Sequence, residues 1–496
     1  MKKSAQIHKA LTIFAYTVML TGMTLLLAVV FRYPQNHLIS RQMIPGVGIC
    51  VIVLLAAGAL WNKIYSLIGK RTPLYLLALV IFGVLLYITA LSRQGNENTL
   101  LDYTYVYRDA MNLATGGTLE YTDYFVTYSN NLKPMLLLSV WFRVAVLLGI
   151  PAFHFVLLRN VLLVLLVVWA CGYLTEQKGD CRWRFPILLT FAFLLPLWDM
   201  VSVFYTDSMS FGLGILTLAL LKKAGSTKTN KGKILWSVLA GVTTILAIIW
   251  KITAIIPLIA CTMILLWQRK KADRHVILSF VVSVIVFGVG LQLWANTYDV
   301  TRKAAVTANP VISWVALGMK EDGSWTNNTE LVEQMYQFST KEEKQQYCVE
   351  YIRENKADFF NAEHLRKKAS YNFANGNLGA SAFLNVEQND QTLIWEMFSP
   401  WGSYYWRTSQ LCYCYLVSVY VLLWIGMLFS LRNVIRGQNP PLLLMICQLN
   451  FIGIAVFLML WEASSRQLYN QMPGILLGGV LSIDYFWKNL SIKPRK

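Results

Sequence analysis

Asp102, Asp207, Lys251, Glu462 and Arg466 are ionisable residues set among apolar or aromatic neighbours. Asp102 opens a polar stretch, 102–134, rich in Tyr and Asn and flanked by long apolar runs. A carboxylate there could take the proton of a substrate hydroxyl, the work of a general base. Asp109, seven residues on, would share a helix face with it; the plainer reading is two solvated loop acids. Lys251, in AIIWKITAIIP, is the lone charge in its turn. An ionisable residue at membrane level is a functional candidate, and a phosphate is its natural partner; the alternative is a lysine snorkelling to lipid head groups. Glu462 and Arg466 stand four apart with the acid first, the order that stabilises a helical pair, so they read as a site or as a self-satisfied surface pair. Asp207, in VFYTDSMS, would cap the helix that follows it, at an end that also favours anions.

The elements that hold these residues are helices in a bilayer. The chain has 496 residues, 56% of them hydrophobic and 14% charged, against about 25% charged in a soluble protein. Apolar runs at 11–31, 44–61, 73–91, 153–174, 186–203, 204–221, 234–250, 253–267, 276–294, 409–430, 441–460 and 469–487 predict about 12 helices, each near the ~20 residues that cross a bilayer. The net charge of +18 sits in short clusters between those runs: Lys2/Lys3/Lys9, Lys63/Lys70/Arg71, Lys178/Arg182/Arg184, Lys222 to Lys233, Arg269 to Arg274, Arg432/Arg436 and Lys488 to Lys496. This is the pattern of cytoplasmic loops rather than of nucleic-acid binding. All the clusters fall on one side if 133–150 does not cross. The segment KPMLLLSVWFRVAVLLGI is therefore expected to be an amphipathic helix in the outer interface, with Arg143 near the head groups.

Both termini are then cytoplasmic, the start MKKSAQIHKA leading into an uncleaved first span. The regions 92–132 and 295–408 lie outside, with the tips at Asp207, Lys251 and Glu462. The expected organisation is an added N-terminal hairpin (1–72), a transmembrane core (73–294) carrying an outer catalytic loop (92–152), an extracytoplasmic region (295–408) and C-terminal helices (409–496). Eight Cys and five His are scattered with no disulfide or metal-ligand spacing. A divalent metal at Asp102 is left open.

With these residues in view, the chain resembles the GT-C fold integral-membrane glycosyltransferases, in the branch of the protein O-mannosyltransferases and the aminoarabinose transferase of lipid A. The carriers are Asp102 followed by Ala110-x-x-x-Ala114-x-Gly116, then Lys133-Pro134, Tyr205-Thr206-Asp207 and Lys251, in that order. Tyr124-Phe125-x-x-Tyr128-x-Asn130-Asn131-Leu132 and Trp461-Glu462-Ala463-x-x-Arg466 resemble Gram-positive bacterial members described as family-39-like. The chain departs in having Asp102-Tyr103 where the branch often has Asp-Glu, and in its first two spans, which precede the family core.

The resemblance implies an all-α polytopic enzyme of the bacterial cell membrane, with its active site extracytoplasmic. It would move a sugar from a polyprenyl-phosphate donor to a hydroxyl of a cell-surface glycan, a teichoic-acid-type polymer or a protein, with inversion. Asp102 would be the general base, and Lys251 and Arg466 would bind the donor phosphate. Asp207, Glu462, Asp109, Lys133, Tyr128 and Asn130 would support them. The competing reading is a lipid-linked-sugar flippase or another polytopic transporter, for which the absence of an internal repeat is unfavourable. A scaffold displaying 295–408 would leave Lys251 unexplained.

Overall fold

The computed structural model describes residues 2–35, 40–68, 72–91, 101–177, 179–268, 273–380 and 392–491. Lys70, Arg71, Lys178, Arg269, Lys270, Lys271, Lys493, Arg495 and Lys496 of the expected cation clusters lie outside the described residues. So do segments 92–100 and 381–391 of the two expected outer regions.

The described chain is helical, with an isolated bridge between Gln177 and Asp180 and no strand among the described residues. Eight helices among these residues are long and apolar enough to cross a membrane: Gln6–Arg32, Gln42–Tyr65, Thr72–Leu91, Ala152–Thr175, Asn230–Trp250, Arg274–Ala295, Tyr405–Ile435 and Leu442–Leu460. Arg274–Ala295 buries only Val276, Ser283 and Ala295 within the protein. An apolar helix left that bare is unstable in water and at ease in hydrocarbon. Tyr405–Ile435 is its opposite, buried on most sides and packed between Met472–Ser491 and Lys2–Arg32.

The other four expected spans do not meet that length and hydropathy among the described residues: each begins at or contains a break, although Met472–Ser491 is itself a continuous 20-residue helix. The 186–203 run divides into Arg184–Ala192 and Leu195–Met200, with Pro196 opening the second piece. The 204–221 run becomes a single turn, Thr206–Met209, then Leu213–Ser226. Between these last two, Gly212 has φ +62°, and a Cβ there would meet Val167 and Pro473, so the bend needs a glycine. The 253–267 run starts as the 3-10 turn Ile252–Ile255 before Ile256–Trp267, and the 469–487 run starts as the 3-10 stretch Ser465–Gln471 before Met472–Ser491. Hydropathy registers the apolar residues but not these breaks. Irregular backbone at membrane level is tolerated where protein encloses it or where it lines a cavity.

The breaks meet. Asn470 donates to Ser210 Oγ at 3.3 Å and Thr253 Oγ1 at 3.0 Å, Gln471 donates to the Thr253 carbonyl at 2.6 Å, and the Gly212 N–H reaches the Asn470 carbonyl at 3.3 Å. Leu132–Leu147 is a helix, buried along Leu132, Met135, Leu136, Leu138, Ser139, Phe142 and Ala145 and exposed at Val140, Trp141, Arg143 and Val144. The exposed face of this 16-residue helix is mostly apolar (Val140, Trp141, Val144, Val146 and Leu147), with Arg143 among them. It packs against Leu101–Ala114.

The region between Ala295 and Tyr405 folds as short helices around a small core of Ala316, Leu317, Leu331, Val332, Met335 and Cys348. It is tied to the bundle where the breaks meet. Inside the region the Lys368 ammonium, fully buried, donates to the Gly318 carbonyl at 2.7 Å; the ties to the bundle are backbone N–H groups of the stretch after Leu460. The Ala463 N–H donates to the Gly323 carbonyl at 2.7 Å, and the Ser464 N–H to Asn372 Oδ1 at 2.9 Å.

Candidate functional site

Each charged side chain of the cluster sits at or beside a helix break. Asn230–Trp250 stops at Lys251, whose backbone is extended (φ −162°, ψ 116°). This turns the side chain out of the helix and toward Asp207, with which it forms a hydrogen-bonded ion pair. Asp207 lies in the Thr206–Met209 turn with its side chain 1% exposed. It makes no side-chain cap there, so the capping role read from the sequence is corrected: the carboxylate is spent on cations. Its second oxygen, Oδ2, faces Arg466 Nε at 3.9 Å.

The stretch after Leu460 is not an α-helix. Trp461 is extended and Ser465–Gln471 is 3-10, so Glu462 and Arg466 do not form the expected helical pair. Arg466 instead turns to Asp207, with its guanidinium 5.7 Å from the centre of the Tyr205 ring. Gly379 (φ +76°) closes over its backbone, where a Cβ would come within 2.7 Å of Arg466 Cβ. Tyr205 in turn donates from its hydroxyl to Asp102 Oδ2 at 3.1 Å. The buried amide of Asn131 donates to the hydroxyls of Tyr124, at 2.6 Å, and Tyr205, at 3.3 Å. Asp102, Asp207, Lys251 and Arg466 are thus joined through Tyr205 and Asp207, although they span 364 positions of the chain (466 − 102).

Lys251 and Arg466 keep 16% and 25% of their side chains exposed. Burial pushes the Lys251 ammonium down from its ordinary value, against the pull of Asp207. Burial pushes the Glu462 carboxyl up, with Arg466 and Lys251 opposing and Asp102 and Asp207 reinforcing. Burial also works against the Arg466 guanidinium, yet Asp207, Tyr205 and Glu462 hold it above its ordinary value. With every group ionised the cluster holds three acids and two cations.

The remaining expected residues stand apart from this cluster. Asp109 shares the Leu101–Ala114 helix with Asp102 but is fully buried, accepting the backbone N–H groups of Glu120 at 2.8 Å and Tyr121 at 3.0 Å. It folds the loop back and does not face the cations. Tyr128 shares a hydrogen bond with Tyr336 at 2.6 Å, joining the first outer loop to the outer region. Asn130 is exposed and donates to Asn131 Oδ1 at 3.2 Å. Lys133 is half-buried in the first turn of Leu132–Leu147 and makes no ion pair among the described residues. Burial pushes its ammonium down.

Sequence reasoning missed Tyr205, Tyr124 and Asn131 as partners of the acid. The signal for Asn131 was the Asn130-Asn131 pair, of which the second residue points inward because Ser129–Asn131 is a 3-10 turn. No group of three or more His, Cys, Asp or Glu able to hold a metal ion is gathered among the described residues.

A family model described as "Conserved hypothetical integral membrane protein" matches residues 5–487, and the chain belongs to that family. No curated protein and no solved structure matches it.

Proposed function

We propose that this integral membrane protein is a GT-C-type glycosyltransferase that moves a sugar from a polyprenyl-phosphate carrier to a hydroxyl acceptor at the outer face of a bacterial membrane. The observation that carries the reading is one buried carboxylate, Asp207, shared by Lys251 and Arg466 and joined through Tyr205 to a second carboxylate, Asp102. The sequence resemblance supplies the donor class, and the Lys and Arg clusters of the sequence support an outer location for this end of the bundle.

The chemistry balances on these residues. The acceptor hydroxyl attacks the anomeric carbon from the face opposite the carrier, and its proton passes to Asp102. Tyr205 donates to Asp102 Oδ2, and Tyr124 also interacts with this carboxylate, so the two phenols orient it for the hydroxyl. The bond from the anomeric carbon to the phosphate oxygen breaks, and its electron pair stays on the polyprenyl phosphate. Lys251 and Arg466 stabilise that gathering negative charge, an interaction strongest in a partly dehydrated site that needs no reorganisation. Asp207 holds both cations in place beforehand.

Purified protein incubated with a synthetic polyprenyl-phosphate hexose and a hydroxyl acceptor should release polyprenyl phosphate and form the glycoside, and Asp102→Asn should not. Wild-type turnover in the Asp102→Asn variant would remove Asp102 from the mechanism. The interrupted helices meeting at Asp207, Lys251 and Trp461 favour a second reading, because transporters build substrate sites from such breaks. Movement of lipid-linked sugar across a proteoliposome membrane without bond cleavage would identify the flippase.

A further inference from the structure

Arg159 is a cation that the reaction above does not use. It lies in the second turn of Ala152–Thr175, at the level of the cluster: its neighbours are Met209, two residues after Asp207, and Trp250, the residue before Lys251. Nη1 donates to Asn160 Oδ1 at 3.0 Å and lies 3.2 Å from Met209 Sδ, and Nη2 donates to the Met209 carbonyl at 3.4 Å. The guanidinium carbon lies 6.0 Å from the ring centre of Trp141 and 5.9 Å from that of Trp250. Every one of these partners is neutral, and among the described residues no carboxylate pairs with it.

A guanidinium half-enclosed by two indoles, a thioether and a carbonyl has lost water without gaining a counter-charge. That arrangement is costly unless an anion completes it. A cation–π contact offsets only part of that cost. The planar fork suits the paired oxygens of a phosphate. The opening is on the bilayer side, because Trp141 belongs to the exposed face of Leu132–Leu147 and is 38% exposed, as is its neighbour Val140 at 46%.

We propose that Arg159, between Trp141 and Trp250, binds the phosphate of a membrane lipid drawn into the crevice between the Leu132–Leu147 and Asn230–Trp250 helices. The site stands whether or not the transfer reading does. If the lipid is a polyprenyl phosphate, Arg159 is a way-station beside Lys251; if it is an anionic phospholipid, Arg159 holds a resident lipid.

The test uses the full chain in detergent. Lipid affinity is read by native mass spectrometry and thermal shift with phosphatidylglycerol, polyprenyl monophosphate, phosphatidylcholine and inorganic phosphate as separate probes. At least one of the two anionic lipids should bind in preference to phosphatidylcholine. Arg159→Gln should lower that affinity on the order of 10-fold or more, the scale of a lost charge-assisted contact, leave phosphatidylcholine unchanged, and be partly rescued by Arg159→Lys. Preference for polyprenyl phosphate marks the way-station, and preference for phosphatidylglycerol the resident lipid. Unchanged anionic-lipid affinity in Arg159→Gln, no preference over phosphatidylcholine, or equal binding of inorganic phosphate overturns the proposal. Should Arg159→Gln not fold, a photo-reactive residue at Val144, on the exposed face one turn from Trp141, decides it: preferential labelling by an anionic lipid supports the site, and equal labelling by phosphatidylcholine overturns it.

Discussion

The two ends of the Asn230–Trp250 helix, about 30 Å apart at 1.5 Å per residue, handle charge in opposite ways. At the Asn230 end each paired cation has its own partner and none is fully buried: on the helix itself Lys233 pairs with Asp273 at 2.5 Å. Arg182 pairs with Asp180 two residues away at 2.6 Å, both about one-third exposed. Arg184 pairs with Glu176, and Lys222 donates to the carbonyls of Tyr173, Leu174 and Glu176 at 2.8, 3.0 and 2.9 Å. That last arrangement is what the negative end of the Ala152–Thr175 helix favours. At the Trp250 end the ions come from distant parts of the chain: Asp207 and Lys251 are 44 positions apart, and Arg466 lies 215 positions beyond Lys251. Exposed, local pairs contribute little to stability. A dehydrated carboxylate shared by two remote cations is costly to assemble and damaging to break, and such expense marks a site rather than a staple.

Breaking the buried end should produce the largest effect. Asp207→Asn leaves Lys251 and Arg466 without their shared counter-charge and should cost about 3–5 kcal/mol, seen as a lowered thermal midpoint together with loss of transfer. Asp102→Asn should separate function from fold: transfer falls about 100-fold to 10,000-fold, the range of a lost general base, while the midpoint stays near wild type, since Tyr205 keeps an acceptor. Lys251→Met should slow transfer on the order of 100-fold and weaken donor binding as well.

Acid should act on the same end through Glu462. Burial raises its carboxyl above the ordinary 4.5, so between that value and the raised one the folded chain keeps a proton that the unfolded chain releases. Stability contributed there is full below the lower value and is lost as pH rises through the upper one. Thermal midpoints measured across this window should therefore fall with rising pH, and Glu462→Gln should flatten the curve. The smallest effect belongs to the other end: Asp180→Asn should change stability by no more than about 1 kcal/mol and leave transfer intact. A large loss there would erase the contrast between the two ends.

Lone charges in apolar surroundings were legible without coordinates, and so Asp102, Asp207, Lys251 and Arg466 could be named together. Tyr205 and Asn131 stood in motifs without a role and Arg159 was not singled out, because tyrosine, asparagine and an arginine near a helix start have many ordinary uses and nothing local separates one from another. Asp109 shows the reverse: its spacing from Asp102 was right for a shared helix, yet two backbone N–H groups claim its carboxylate.

The sequence by itself determined that this chain is a helical membrane protein. Hydrophobic length and clustered Lys and Arg are summed along the chain, and no packing is needed to add them. Tertiary structure alone decided which apolar runs break, and that Asp207 holds Lys251 and Arg466 rather than capping its helix. Those outcomes depend on where water is excluded and which distant partner arrives, and neither is a property of any short stretch of residues.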